Sequence, residues 1–415
     1  MLLSVSSIPL ALYIHIPWCV RKCPYCDFNS HEIDPLQPQK TLYHQYVDAL
    51  LLDAQSQVIW GQGREIRSVF IGGGTPSLLP ISEYQRLFAG LRAILPFAED
   101  CEITMEANPG TLEHAPFAEY LAVGINRLSI GVQSFDANQL TKLGRIHDPN
   151  QAYHAITQAR LAGFERVNVD LMHGLPQQNV AQALYDIEQA NAAGASHISW
   201  YQLTIEPNTV FYRDTPLLPD EDALADIELA GQDLLNKLGY RRYEVSAWVS
   251  QQDRPCEHNV NYWQFGDYLA IGAGAHGKIS FAHNVNPQQP DSQPLETLRS
   301  SIARFSKSRL PKDYLDTVKW QAIDSSSSDT RAPKTVGFDY IDCNELPAEF
   351  MLNALRLDAG VSWQIFTQRT GLEHEAIAPA IDSLIEQGLL VDSTERLITT
   401  AKGRQYLNQV IYAFI

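Results

Sequence analysis

Six short apolar runs rich in β-branched residues alternate with segments whose apolar residues recur at helical spacing, and this alternation constrains the fold more than any other feature. The runs are Ala11 to Ile16, Ser68 to Ile71, Glu102 to Glu106, Arg127 to Val132, Arg166 to Leu171 and His197 to Leu203. Helices are expected near Thr41 to Ile59, Ile81 to Ile94, Phe117 to Ala122, Asn150 to Ala162, Val180 to Asn191 and Ala223 to Leu238. Strand then helix, repeated, is the pattern of a parallel α/β sheet, and six units suit a barrel or part of one. The expected fold is α/β, a partial (β/α)6 TIM-type barrel.

Polar residues fall where such a barrel carries chemistry. Cys19 follows the first run, Gly72-Gly73-Gly74-Thr75 the second, Glu106 ends the third, Gln133 follows the fourth, Asp170 lies near the end of the fifth, and Thr204 follows the sixth. In a βα barrel these strand ends share one face.

The first of them opens Cys19-Val-Arg-Lys-Cys23-Pro-Tyr-Cys26, three thiols that one loop can direct at one point. Three thiolates suit soft metals. They neither complete a four-coordinate structural zinc site nor ligate all four irons of a cubane cluster. The fourth position is then filled from elsewhere in the chain or left open for a ligand. Six cysteines in 415 residues, three of them in this loop, are no disulfide framework and favour a metal site in a reducing compartment. Cys101 and Cys343 read as structural thiols.

The balance of 31 basic against 48 acidic residues, a net charge of −17, argues against bulk attraction to nucleic acid or anionic lipid. Met1 to Leu12 lacks a basic residue before its apolar run and reads as a leader and strand rather than a signal peptide. No apolar segment approaches the ~18 residues of a membrane span.

Tyr240 to Ala247 is a further candidate strand, followed by Cys256-Glu-His258-Asn259-Val-Asn261-Tyr262-Trp263 and the glycine-rich Ile271 to Gly277. Asn284 to Gln293 and Asp324 to Lys334 have linker composition. Beyond them, helices near Glu345 to Leu355, Trp363 to Thr370 and His374 to Gln387 precede a wing of Gly388 to Asp392 with Glu395 to Thr400, then a last helix from Lys402 to Phe414. That order resembles a winged-helix module, one without visible basic character, so packing or partner binding is the expected role. The expected domains are 1–250, the barrel; 251–340, its extension and linker; and 341–415, the C-terminal module.

C-x3-C-x2-C with an aromatic before the last Cys is similar to the loop of radical S-adenosylmethionine (SAM) proteins, in which three thiolates hold a [4Fe–4S] cluster and SAM takes the fourth iron. Tyr13-Ile-His-Ile-Pro-Trp-Cys19, Phe70-Ile-Gly-Gly-Gly-Thr-Pro-Ser77, Arg127-Leu-Ser-Ile-Gly-Val-Gln133-Ser-Phe135, Val167-Asn-Val-Asp170-Leu-Met-His-Gly-Leu-Pro176 and the C-terminal module resemble the oxygen-independent coproporphyrinogen III oxidase group. Carried over residue by residue, the resemblance implies Cys19, Cys23 and Cys26 on the cluster. It implies Tyr13, Gly73, Gly74, Thr75, Glu106, Gln133, Arg145 and Asp170 around SAM. Phe28 stands where the oxidases have a further Cys, and Tyr13 lies almost at the start, where they carry a longer arm. Both departures, with His258-Asn-x-x-Tyr-Trp263, resemble the heme-chaperone branch of the group.

That branch implies heme as a third cofactor with His258 in contact with it, no catalytic residue, and a cytoplasmic location. It also implies acceptor hemoproteins, respiratory-chain enzymes among them, as partners. Peripheral membrane contact and a homodimer stay open, and no nucleic acid is expected. The alternative is the oxidase activity itself, radical decarboxylation of two propionates of coproporphyrinogen III. A radical enzyme acting on tRNA or another macromolecule fits the acidic charge poorly.

Overall fold

The computed structural model describes residues 3–34, 36, 38–110, 116–282, 299–316 and 334–415. Among the described residues, twelve strands share one sheet. Its middle is six parallel strands, each paired with the next in chain order: β1 (Leu10–Ile16), β2 (Ile66–Gly73), β3 (Phe97–Ala107), β4 (Arg127–Gln133), β5 (Arg166–His173) and β6 (His197–Gln202). The six expected helices follow their strands, within about two residues of the expected ends for all but the first, whose pattern divides into Gln39–Ser56 and Val58–Gly61. Their starts are specified locally. Asp148 and Asn179 each form a capping box, with Gln151 and Gln182 respectively, and Asp220 caps the Glu221–Lys237 helix through the Ala223 amide.

Period-two alternation sorts each strand into two faces. Leu12, Ile14, Ile71, Met105, Ile130, Val169 and Ile198 join the main apolar core. Glu106, Ser129, Asp170 and Tyr201, on the other face, line a cavity inside the barrel.

The sheet runs further than the six-unit pattern on both sides. Tyr240 to Ala247 is not one strand but parts of two, β7 (Tyr240–Glu244) and β8 (Ala247–Ser250), antiparallel to each other, with β8 antiparallel to β6. The chain turns at Val245 and Ser246, where the Glu244 carboxylate accepts the Ser246 amide at 3.3 Å. On the far side β9 (Asp267–Ile271) pairs in parallel with β1. From there β10 (His276–Ser280), β11 (Arg299–Lys307) and β12 (Thr335–Asp342) continue antiparallel. The edges of the sheet are β7 and β12. Of the expected linkers, all but Lys334 of the second lie outside the described residues, as does all of the first beyond residue 282.

The C-terminal segment forms Leu346–Ala354, Trp363–Thr370 and Ala378–Glu386, the last preceded by a 3₁₀ turn at His374–Ile377. The wing is present, with Leu390 bridged to Thr399 and Arg396–Leu397 paired with Val361–Ser362. The final helix is broken at Tyr406 into Ala401–Gln405 and Leu407–Tyr412. A second core of Phe350, Phe366, Leu384 and Val410 also takes in Phe265, Ile302 and Ile341 from the sheet side. The same segment reaches β7, where Asp358 N–H donates to Tyr243 C=O and Val245 N–H to Arg356 C=O, both at 3.0 Å. It reaches β11 through the Arg304–Glu349 ion pair.

Candidate cofactor site

The cysteine loop leaves β1 through Pro17 and is held at both ends. Trp18–Cys19 pairs with His31–Glu32, and the Trp18 ring packs 4.7 Å from Tyr46. Lys22 Nζ donates to the Phe28 carbonyl at 3.0 Å, and Asn29 Nδ2 donates to the Ala273 and Arg309 carbonyls at 3.0 and 2.8 Å. The glycine run at the end of β2 presses against this loop. Gly74 N–H donates to Ile16 C=O and Thr75 N–H to Trp18 C=O, both at 2.7 Å. A Cβ on Gly74 would stand 2.4 Å from the Trp18 oxygen, so only glycine fits.

Cys19, Cys23 and Cys26 line one mouth of a cavity of about 480 Å³ inside the barrel, with Gly73, Gly74, Thr75, Glu106, Gln133, Arg145 and Asp170 in the same wall. Ten of the twelve expected site residues therefore meet. The thiols have donors aimed at them: Thr75 Oγ1 lies 3.5 Å from Cys19 Sγ and Arg145 Nη1 3.7 Å from Cys23 Sγ. Burial pushes the Cys19 thiol up, against the Thr75 hydrogen bond, and pushes Cys26 up against the Phe28 amide and Ser30. A bound metal centre would reverse that preference, since the thiolate is the ligand. Among the described residues no three His, Cys, Asp or Glu side chains are grouped to hold a single metal ion. A cluster would instead take one thiolate per iron, and Cys19, Cys23 and Cys26 all line the one cavity.

Glu106 accepts the Gly73 amide at 3.2 Å. Burial, and then the nearby Asp170, push its carboxyl up to about 8. Asp170 is itself raised by burial, while Ser129 Oγ at 3.1 Å and Asn168 Nδ2 at 2.8 Å donate to it. Gln133 has a left-handed backbone, φ 71°, and its Oε1 accepts from Tyr201 OH at 2.8 Å.

The alternation of strand faces gives access to residues that motif reading missed. Asn108, two places beyond Glu106, donates to Thr75 Oγ1 at 3.1 Å and accepts from Arg145, and Tyr201 stands two beyond Ser199. Arg145, expected around SAM, donates to Cys23, Asn108 and the Gly131 carbonyl, with its Nε buried and unpartnered. Its side chain crosses the cavity wall toward the cysteine loop, so it is a thiol neighbour first.

Two expected residues are not in this wall. Tyr13 lies a layer below, its OH bonded to His15 Nδ1 at 3.0 Å, while His15 Nε2 bonds the Asn29 carbonyl at 2.9 Å. His258 sits on the Glu257–Trp263 helix beneath the barrel, stacked on Phe70 with ring centroids 4.7 Å apart and 6.4 Å from Tyr13. Its Nδ1 is sealed without a partner, and burial lowers its pKa to about 4. The helix is pinned there because Glu102 accepts both the Cys256 thiol at 3.3 Å and the Glu257 amide at 3.0 Å. Glu102 is four residues before Glu106 on β3, a separation of about 13 Å along a strand.

Residues 13–190 match the Radical SAM superfamily, and residues 341–406 match the HemN C-terminal domain. The fold resembles that of coproporphyrinogen III oxidase (HemN) from Escherichia coli, with a TM-score of 0.75 and 22% identity over 98% of this chain and 90% of that one. Heme chaperone HemW of Escherichia coli is 44% identical, and that of Haemophilus influenzae 42%, each over 98% of both chains. Heme chaperone HemW of Bacillus subtilis is 30% identical over 97% of this chain and 98% of its own. End-to-end similarity of this degree, on a radical SAM barrel with its thiols at the cavity mouth, places the chain in the HemW family.

Proposed function

We propose that this protein is a heme chaperone that binds a [4Fe–4S] cluster, SAM and heme, and passes heme to hemoproteins. The observation that carries the reading is the similarity over 98% of the chain to proteins named heme chaperones. The loop agrees with it, since Phe28, in the cavity wall and 58% exposed, supplies no fourth sulfur.

In this reading Cys19, Cys23 and Cys26 would hold the cluster, which would supply redox chemistry to a bound sulfonium. Gly73, Gly74 and Thr75 offer backbone at close approach to the methionyl end. Glu106, Asp170 and Gln133 serve the nucleoside by hydrogen bonding, and Arg145 and Thr75 hold the thiol side in register. Tyr13 supports this wall from below through His15.

Heme contact is assigned to the Glu257–Trp263 helix and His258. A groove of about 360 Å³, lined by Leu10, Arg67, Pro255, Val260 and Gln264, borders the same helix, and His258 is not in its lining. Among the described residues no helix is long and apolar enough to cross a membrane. The proposal places the protein in the cytoplasm, delivering heme to respiratory-chain acceptors by peripheral contact with the membrane, with a homodimer as a working unit to be read by native mass measurement.

The test is a hemin titration of anaerobically reconstituted protein. Wild type should develop a Soret band, and His258→Ala should lose at least half of it at equal hemin. If wild type gives no Soret band and converts coproporphyrinogen III to protoporphyrinogen, the oxidase reading replaces this one.

A further inference from the structure

Gln133 carries a conformation that its own sequence does not favour. It is a non-glycine residue at φ 71°, just past a register shift between Gly131 and Gln133 that bulges β4 against β5. Left-handed backbone at such a residue is costly and persists only where the surroundings hold it. What holds it comes from outside the barrel.

Asp186, on the Val180–Ala192 helix that follows β5, is 1% exposed and reaches across to the two residues after Gln133. Its Oδ1 accepts the Phe135 amide at 2.6 Å, and its two oxygens lie 3.0 and 2.9 Å from Ser134 Oγ. Ser134 Oγ in turn accepts the Asp136 amide at 3.0 Å. One helical turn before Asp186, Gln182 Nε2 donates to Asp136 Oδ2 at 3.3 Å. Residues four apart lie on one helix face, so a single face grips three consecutive loop residues. Asp186 is absent from the cavity wall, whereas Gln133 is in it, with Oε1 taken by Tyr201 and Nε2 lying over Gly131.

We propose that Asp186 is a positioning residue for SAM binding: by clamping Ser134 and Phe135 it fixes the left-handed turn that presents the Gln133 amide to the cavity. The inference rests on the reading of this cavity as the SAM site. Removing the carboxylate frees Ser134 and the Phe135 amide, lets the turn relax toward extended backbone, and withdraws the Gln133 donor while the cysteine loop, on another strand, is untouched.

The experiment is a double-mutant cycle on reconstituted protein with SAM as the titrant, read by calorimetry and by the change SAM causes in the spectrum of the reduced cluster. Asp186→Ala should weaken SAM binding by about tenfold, with iron content unchanged. Asp186→Asn, which keeps one acceptor, should fall between it and wild type. In a Gln133→Ala background, Asp186→Ala should weaken SAM binding no further, although it still lowers the melting temperature. Equal loss in both backgrounds, or a lowered melting temperature with SAM affinity unchanged, makes Asp186 a structural tie and overturns the proposal. Wild type that binds no SAM overturns the cofactor reading, and the clamp with it.

Discussion

The two ends of the barrel interior are both polar, yet they are polar in opposite ways. At the thiol end Glu106, Asp170, Gln133 and Asn108 line the cavity. At the floor, Glu102 is closed in by Arg166, the Cys256 thiol and the Glu257 amide, and Arg166 is shared with Asp253. Burial alone would raise the Glu102 carboxyl, but Arg127 and Arg166 outweigh it and hold it below the usual range. An ion-paired network makes a floor. Polar groups lining a cavity of this size make a binding site.

The largest effect should come from breaking the ion-paired end. Glu102→Ala leaves Arg127 and Arg166 buried without their carboxylate and frees the start of the Glu257–Trp263 helix, at a cost of about 3–5 kcal/mol. Chemical denaturation should show that loss with and without reconstituted cluster. An equal loss on replacing Asp170, whose surroundings hold no such ion pair, would erase the contrast between the two ends.

A smaller effect is expected where the thiol end is tightest. Gly74→Ala forces a methyl group against the Trp18 carbonyl, for about 1–3 kcal/mol, and moves the backbone that carries Cys19. Iron content after reconstitution should fall more steeply than stability does. If iron content holds while stability drops, the glycine serves packing alone.

The last comparison concerns proton linkage, which has opposite signs at the two ends. Glu106 is raised from 4.5 to about 8, so between those values the folded chain binds more protons than the unfolded one, and stability falls as pH rises through that window. His258 is lowered from 6.5 to about 4, so there the unfolded chain binds more protons, and stability falls as pH drops from 6.5 toward 4. Melting temperatures of Glu106→Gln across pH 5 to 8 should vary less than those of wild type. His258→Phe should flatten only the acidic side. Any crossover between the two profiles would show that the ends are electrostatically joined.

The repeated units and the cysteine loop were legible because their signals are local. Apolar period, capping residues such as Asp148 and Asn179, and the packing limit at Gly74 each act within a few residues or between neighbouring strands. β9 beside β1 was not legible, since nothing in Asp267–Ile271 names a partner that lies more than 250 residues away. β11, read from Arg299-Ser-Ser-Ile-Ala-Arg-Phe-Ser-Lys307, has an alternation weakened by charge at both ends. Strand-end polarity found most of the cavity wall, but not what each group does with its hydrogen bonds: Arg145 donates to Cys23, Asn108 and the Gly131 carbonyl. The segment around His258 shows the same limit: its run of His, Asn and aromatics marks a motif but not its place, which the Glu102 tether fixes beneath the strands.

The contacts that Arg356 and Asp358 make with β7 have a consequence for solubility. A sheet this wide ends in strands whose free N–H and C=O groups can recruit a foreign strand, and β7 is such an end. Tyr243 C=O and Val245 N–H are already occupied by the C-terminal segment, and Glu244 is bridged to Leu357. That segment therefore acts as a sheath over a sticky margin. A chain cut before it would present both the bare margin and the apolar faces of Phe265, Ile302 and Ile341 to its neighbours, and its fate would be self-association rather than simple loss of a domain.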